Sequence, residues 1–276
     1  MVLRTGAEAT RFRPGDHVYY AGDVTRPGAN AQYHVVDERI VGRKPMSLDW
    51  AEAAAMPLTT ITAWEALFDR MDVSRRVAGA ASILIVGGAG GVGSIAIQLA
   101  RQLTELTVIA TASRPETRDW VRQLGAHHVV DHLHPLAEEL TAAGLDAPGF
   151  VLATTQTARH WPEIIKLIAP QGRIAVIDDS PTLDIVPLKR KAVSVHWEAM
   201  FARSTFATPD MGQQGVLLDE VSRLLDAGTL RTTVTERLGP LSATTLSRAH
   251  AMIESGRTRG KITLDGVAAH ESGGGI

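Results

Sequence analysis

The chain has 276 residues, 45% of them hydrophobic, which is enough to bury a substantial core in one large or two ordinary domains. Its 28 basic and 30 acidic residues form no basic stripe or acidic tail, which excludes nucleic acid and membrane surfaces as default partners. The absence of cysteine excludes disulfides and thiolate metal sites and suits a cytoplasmic protein, and no apolar run reaches the ~18 residues of a membrane span.

In chain order, residues 12–41 (FRPGDHVYYAGDVTRPGANAQYHVVDERIV) place Pro and Gly between two short β-like runs, HVYYA (17–21) and AQYHVV (31–36), as in a small antiparallel barrel or sheet. Val2 is already strand-like. Residues 49–71 form a helical stretch rich in Ala and Leu, broken at Pro57. From Ile83 onward, apolar runs alternate with helical patterns. The strands are ILIVG (83–87), TVIAT (107–111), HHVV (127–130), FVLAT (150–154), RIAVID (173–178) and AVSVHW (192–197), with helices near 92–104, 115–124, 136–143 and 159–169. This spacing predicts a parallel sheet covered on both faces, in the doubly wound arrangement whose ligand lies at the carboxyl ends of the strands. A helix at 214–227 closed by Gly228, a strand TTVTERL (232–238), a helix at 242–255 closed by Gly256 and a strand KITL (261–264) complete the chain. The expected division is a β-rich domain from 1–57 and 230–276, with a nucleotide domain at 58–229.

The stretch ILIVGGAGGVGSIAIQLAR (83–101) carries the most chemistry. Gly88-Ala89-Gly90-Gly91-Val92-Gly93 fits G-x-G-x-x-G between a β-branched strand and an apolar-faced helix, the setting of a turn that binds a dinucleotide pyrophosphate. Gly88 permits the tight turn, Gly90 lets backbone N–H groups approach phosphate oxygens, and Gly93 lets the helix pack closely. The helix N-terminus then offers open N–H groups and a positive dipole end. About 20 residues further on, an NAD site places Asp or Glu on the ribose 2′-hydroxyl. Here 110–114 holds no acid but has Ser113 and Arg114, with Arg118 one helical turn beyond, which points to the 2′-phosphate of NADPH. A merely solvated Arg114 is the competing reading. Thr154 and Thr155 end the fourth strand, and Ile177 and Asp178 the fifth, at the crevice where ribose and nicotinamide belong.

The ordered blocks RPGDHVYYAG, AEAAAMPLTTITAWEAL, GGAGGVGSIAIQLAR, APQGRIAVID and SGRTRGKITL together resemble the medium-chain dehydrogenase/reductase superfamily. The match is to its zinc-free quinone-reductase side and, more narrowly, to the zinc-type alcohol dehydrogenase-like subfamily. The resemblance runs from about Leu3 to about Leu264 and implies a Rossmann sheet with a GroES-like β-rich domain. Members of that family usually carry about 70 residues ahead of position 1, and the β-rich segments present fall short of a full domain core; an N-terminally truncated chain is expected. The resemblance further implies that Thr59 and Thr62 sit beside the nicotinamide and its phosphates, His132 near the adenosine, Trp197 at the nicotinamide end and Lys261 near a cofactor phosphate. Helix capping for the threonines, an exposed loop histidine, a buried core tryptophan and a solvated lysine compete with these roles.

Catalytic zinc in this superfamily uses Cys, His and a second Cys or acid, and structural zinc uses four Cys. This chain has no Cys, its ten His are scattered, His127 and His128 point to opposite faces of a strand, and His132 and His134 share only a loop, so no metal is expected. No G-x-S-x-G elbow supports a hydrolase. Tyr20 and Trp197 are candidate catalytic side chains; Tyr19 and Tyr20 alternating across a strand, one buried, is the competing reading. The expected function is NADPH-dependent, zinc-independent reduction of quinones or activated alkenes and carbonyls, with a homodimer formed through the sheet edge at 192–197. The alternatives are a catalytically silent NADPH-binding protein or inactive fragment, and a zinc-dependent alcohol dehydrogenase, which the lack of Cys disfavours.

Overall fold

The computed structural model describes residues 1–267. The elements run β1 (Val18–Tyr20), β2 (Val41–Arg43), α1 (Trp50–Ala54), α2 (Pro57–Trp64), a π-helical turn (Glu65–Arg70), β3 (Ser82–Val86), α3 (Gly91–Leu103), β4 (Thr107–Thr111), α4 (Pro115–Gln123), β5 (His128–Val130), α5 (Leu136–Ala142), β6 (Phe150–Ala153), α6 (Thr157–Leu167), β7 (Arg173–Val176), β8 (Ser194–Trp197), α7 (Ala202–Thr205), α8 (Gln213–Asp226), β9 (Val234–Leu241), α9 (Ala243–Glu254) and β10 (Lys261–Val267). They form two compact units, Thr59–Met200 and Met1–Leu58 with Phe201–Ile276.

The unit Thr59–Met200 holds a six-stranded sheet in the order β5-β4-β3-β6-β7-β8, with every neighbouring pair parallel. This is the doubly wound order that reverses direction between its first and fourth strands, here β3 and β6, and so opens a crevice at their carboxyl ends. The central strands read as unbroken apolar runs because both faces are covered. Leu84, Val86, Val151, Ala153, Ile174 and Val176 face a core completed by Leu136, Leu140, Trp161 and Ile164 from α5 and α6. In register, Val86 pairs with Ala153, Ala153 with Val176, and Val176 with Trp197, so these residues form one row at the carboxyl edge. All six predicted strands and all four predicted helices of this region are present, displaced by at most a few residues.

In the other unit, β1 and β2 are antiparallel, whereas β9 and β10 pair in parallel. The partner of HVYYA is therefore Val41–Arg43; the expected run AQYHVV (31–36) forms no strand, with Tyr33 and Val35 exposed to 73% and 75%. Val2 is not in a strand either, although its N–H and carbonyl bond to Asp16 O and Gly15 N. The predicted strand 232–238 lies at Val234–Leu241. Pro57 divides 49–71 as expected, opening α2, where its missing N–H costs nothing.

The helix expected at 214–227 is present as α8, but it packs against β2 in this unit. The division therefore falls after Met200, and 201–229 do not join the nucleotide region as the sequence division had them. Tyr19, buried on β1, donates its hydroxyl to Leu218 O at 2.6 Å, and Asp219 accepts from Arg43 N at 2.7 Å and Arg11 Nη2 at 2.9 Å. At Gly42 α8 comes too close for a side chain. A Cβ there would overlap Leu218 Cβ and stand 3.0 Å from Tyr19 Cε1. Gly42→Ala is therefore expected to lower the stability of this unit by about 1–3 kcal/mol, read as a shifted urea midpoint against wild type.

Candidate functional site

The site is built on the β3–α3 connection. Gly87 follows β3 at φ 78°, a backbone conformation that an L side chain resists, and a Cβ there would meet Thr154 Oγ1 at 2.5 Å. A Cβ on Gly88 would stand 2.9 Å from Ala110 Cβ, and one on Gly93 would overlap Gly87 O and come within 2.7 Å of Gly88 Cα. Gly88 and Gly93 are accordingly buried, and their lack of side chain is a packing requirement. Gly90 differs. It is the exposed N-cap of α3, in extended backbone at φ −71°, and a Cβ there would touch only Gly87 O at 3.4 Å. A glycine cap has no side chain to accept the first helical N–H groups, and the first backbone bond of the helix is from Ser94 N to Gly90 O. The N–H groups of Gly91, Val92 and Gly93 thus belong to a helix start that nothing from the cap covers, the geometry that receives an anion.

Thr111, the last residue of β4, fixes the turn. Its carbonyl accepts from Gly88 N at 3.2 Å, and its Oγ1 accepts from Gly87 N at 3.0 Å and contacts His132 Nδ1 at 3.2 Å. Thr111 is fully buried, so its end of these bonds is held away from water. The His132 ring stands edge-on to His160, 6.2 Å between centroids. Burial pushes both rings below the ordinary imidazole range; at His132 it outweighs the opposing charge of Asp131, and at His160 the charge of Arg159 adds to it.

The remaining expected residues of this unit lie at the carboxyl ends of the strands. Ser113 and Arg114 follow β4; Arg114 Nε pairs with Glu116 at 2.8 Å, and its backbone N–H and carbonyl are bracketed by the Thr117 hydroxyl. The Arg118 guanidinium donates to Ala112 O at 3.2 Å and Val129 O at 3.3 Å, which ties the ends of β4 and β5. Thr154 Oγ1 donates to Val86 O at 2.7 Å, and Thr155 is exposed beside it. Asp178, just after Ile177, accepts from Thr157 N at 3.0 Å and from the Thr157 hydroxyl, so its carboxylate sits on the N-terminus of α6. Thr59 and Thr62 are buried inside α2, past its cap position. Trp197 ends β8 with 58% exposure, which overturns the buried-core alternative and leaves its ring at the open edge.

Tyr20 and Lys261 belong to the other unit. Tyr19 is the buried member of its pair and Tyr20 the half-buried one, its hydroxyl 3.2 Å from His34 Nδ1 and its ionisation pushed up by burial. Lys261 opens β10, its N–H donating to Thr233 O at 2.8 Å, and burial pushes its ammonium below the usual range. Sequence reasoning did not single out Thr111. Its only signal was a hydroxyl at the end of the strand beside the glycine turn.

The donor set is a poor one for zinc. The chain has no cysteine, and among the described residues no three His, Asp or Glu side chains converge. His127 spends Nδ1 on Val108 N at 2.8 Å and faces Arg101 Nη1 with Nε2 at 2.6 Å, and Arg101 repels a cation. These residues do not fit a zinc centre. Among the described residues no helix is long and apolar enough to cross a membrane.

Comparison with known proteins agrees with this geometry. Residues 124–264 match the family described as zinc-binding dehydrogenase. A zinc-type alcohol dehydrogenase-like protein of Staphylococcus aureus strain MSSA476 is 37% identical over 263 residues, covering 94% of this chain and 78% of its own length. A solved structure from Rhizobium etli CFN 42, named as a zinc-dependent alcohol dehydrogenase protein, is 64% identical with a TM-score of 0.94 over 96% of this chain and 78% of that one. A quinone oxidoreductase from Pseudomonas syringae pv. Tomato DC3000 is 26% identical with a TM-score of 0.75, over 95% and 78%.

Replacing Thr111 by Val removes the acceptor of the half-buried Gly87 N–H and should cost about 1–3 kcal/mol in urea unfolding. The lowered imidazole values of His132 and His160 give stability that is complete above the ordinary histidine range and lost as pH falls through the folded values. The wild-type urea midpoint should therefore fall on mild acidification, and by less in His132→Gln. The six-stranded order, the glycine turn and the matched relatives together make this chain a member of the medium-chain dehydrogenase/reductase superfamily of oxidoreductases, in its zinc-type alcohol dehydrogenase-like branch.

Proposed function

We propose that the chain binds NADPH on the turn from Gly87 to Gly93 and serves a zinc-independent reduction of a quinone, or of an activated alkene or carbonyl. The observation that carries this reading is Gly90, an exposed glycine cap with no side chain on the start of the helix that follows the central strand β3. The pyrophosphate would rest on the N–H groups of Gly91, Val92 and Gly93, with Ala89 and Gly90 giving close approach. Ser113 and Arg114 follow β4 where a carboxylate would select NADH, and they offer the 2′-phosphate a hydroxyl and a cation. Arg118 holds that loop through Ala112 O. His132 would line the adenosine side while keeping Thr111 in place.

Thr154, Thr155, Ile177 and Asp178 would flank the ribose, with Thr59, Thr62 and Trp197 toward the nicotinamide. When bound, the nicotinamide supplies the hydride. The residues of this chain supply binding, orientation and exclusion of water, and the proton that completes reduction comes from water or a pocket donor. The quinone oxidoreductase from Pseudomonas syringae favours a quinone among the candidate acceptors. The exposed edge of β8 remains open for pairing with a second copy. A cofactor-binding protein without turnover is the second reading.

Titration should give tighter binding of NADPH than of NADH. Arg114→Ala should weaken NADPH by about 10- to 100-fold, the equivalent of ~1.5–3 kcal/mol for a charged hydrogen bond, and leave NADH nearly unchanged. Equal binding of the two cofactors, or an unaltered preference in the variant, contradicts the assignment. Oxidation of NADPH by a quinone panel in excess EDTA supports zinc-independent turnover; binding without oxidation supports the silent reading.

A further inference from the structure

Beside the carboxyl row of the nucleotide unit lies a pair of buried acids that the cofactor reading does not use. Glu65 opens the π-helical turn and Glu198 follows β8 directly, its N–H donating to Val176 O at 2.9 Å; both side chains have 0% exposure. Arg70, at the other end of the turn, faces both. Its Nε donates to Glu198 Oε2 at 2.9 Å, and its Nη2 stands 3.6 Å from Glu65 Oε2. The π register makes this possible. In an α-helix, residues five apart are about 140° apart around the axis. The i→i+5 bond from Met71 N to Ala66 O widens the turn and brings Arg70 round to the side of Glu65.

Of the neighbouring charges, Arg173 on β7 spends Nη1 on Met71 O and Asp72 O, both at 2.6 Å. His196 on β8 is kept neutral by burial and by the charges of Arg173 and Arg70. Arg70 is thus the cation that meets two buried carboxyl groups. With both ionised the cluster would carry a net negative charge away from water, a state that desolvation and like-charge repulsion both oppose. With one proton shared between them the cluster is neutral, and a carboxyl–carboxylate hydrogen bond joins the π turn to the strand end.

We propose that Glu65 and Glu198 hold one proton between them at neutral pH, and that this proton, together with Arg70, latches the π-helical turn to the end of β8. Burial, followed by the charge of Glu65, raises the Glu198 carboxyl to about 8, with Glu65 in hydrogen-bonding range. The group is raised above its unfolded value, so the stability it contributes is fully present below the ordinary carboxyl range and is lost as pH rises through about 8. Above that point the two carboxylates repel and the turn loosens. The latch is thus a pH-responsive joint between the segment that continues from α2 and the strand bearing Trp197, and it does not depend on which cofactor is bound.

Infrared difference spectra between about pH 6 and about pH 9 test the proton, and hydrogen exchange of amides 66–71, corrected for the intrinsic rate, tests the latch. Wild type should show a buried protonated carboxyl that disappears with a midpoint near 8, with faster exchange of 66–71 above it. In Glu198→Gln, where a neutral amide replaces the shared proton at every pH, both changes should vanish. Glu65→Gln should move the remaining carboxyl to lower pH, and it serves as the second variant if Glu198→Gln does not fold. Absence of a protonated carboxyl in wild type near neutrality overturns the proposal, as does an exchange step that persists in both variants.

Discussion

The nucleotide unit depends on a contact that leaves no room for a side chain, the first turn of α3 resting on Gly87 and Gly88. A methyl group at Gly93 would overlap Gly87 O, so the helix can begin where it does only because residue 93 has no Cβ. That start point decides where the helix axis, its open N–H groups and its positive end are aimed. Thr111 then ties the turn to β4 with two bonds, one from its carbonyl and one from its hydroxyl. The carboxyl row from Val86 through Ala153 and Val176 to Trp197 follows from the parallel register of β3, β6, β7 and β8.

Most of this unit was legible because its strands are unbroken β-branched runs and its helices carry clear apolar faces between turn signals. Two errors share a physical cause. AQYHVV has strand-like residues, but β-propensity is realised only when a neighbouring strand and a covered face exist, and this segment has neither. Helix α8 is a strong amphipathic helix whose period says that it packs and cannot say on what; Gly42 and Tyr19, distant in sequence, supply the answer. At the site, the glycine loop was readable from spacing alone. Thr111 was not, since a threonine in a strand is ordinary, and neither was the pairing of Glu65 with Glu198, which requires a π register that no local pattern announces.

The branch to which the chain belongs is named for zinc, yet the donor set of its described residues points elsewhere. No cysteine is present, and His132, His127 and His34 are engaged with Thr111, Val108 and Tyr20. A fold accommodates many chemistries, and the site decides among them. Here the site offers an anion cradle, a small-residue loop ending in Arg114 and a row of hydroxyls, a set suited to holding a phosphorylated cofactor.

The two kinds of glycine in the turn permit one decisive measurement. Gly93 is required by packing, but Gly90 occupies an extended N-cap position where Ser or Asp normally serves a helix at least as well. Gly90→Asp should therefore retain or raise the thermal midpoint while placing a carboxylate where the proposed pyrophosphate would rest. Isothermal titration of this variant with NADPH, beside wild type, tests the central claim. A folded variant that has lost NADPH binding is the predicted result; a folded variant that binds NADPH as wild type does would contradict the account.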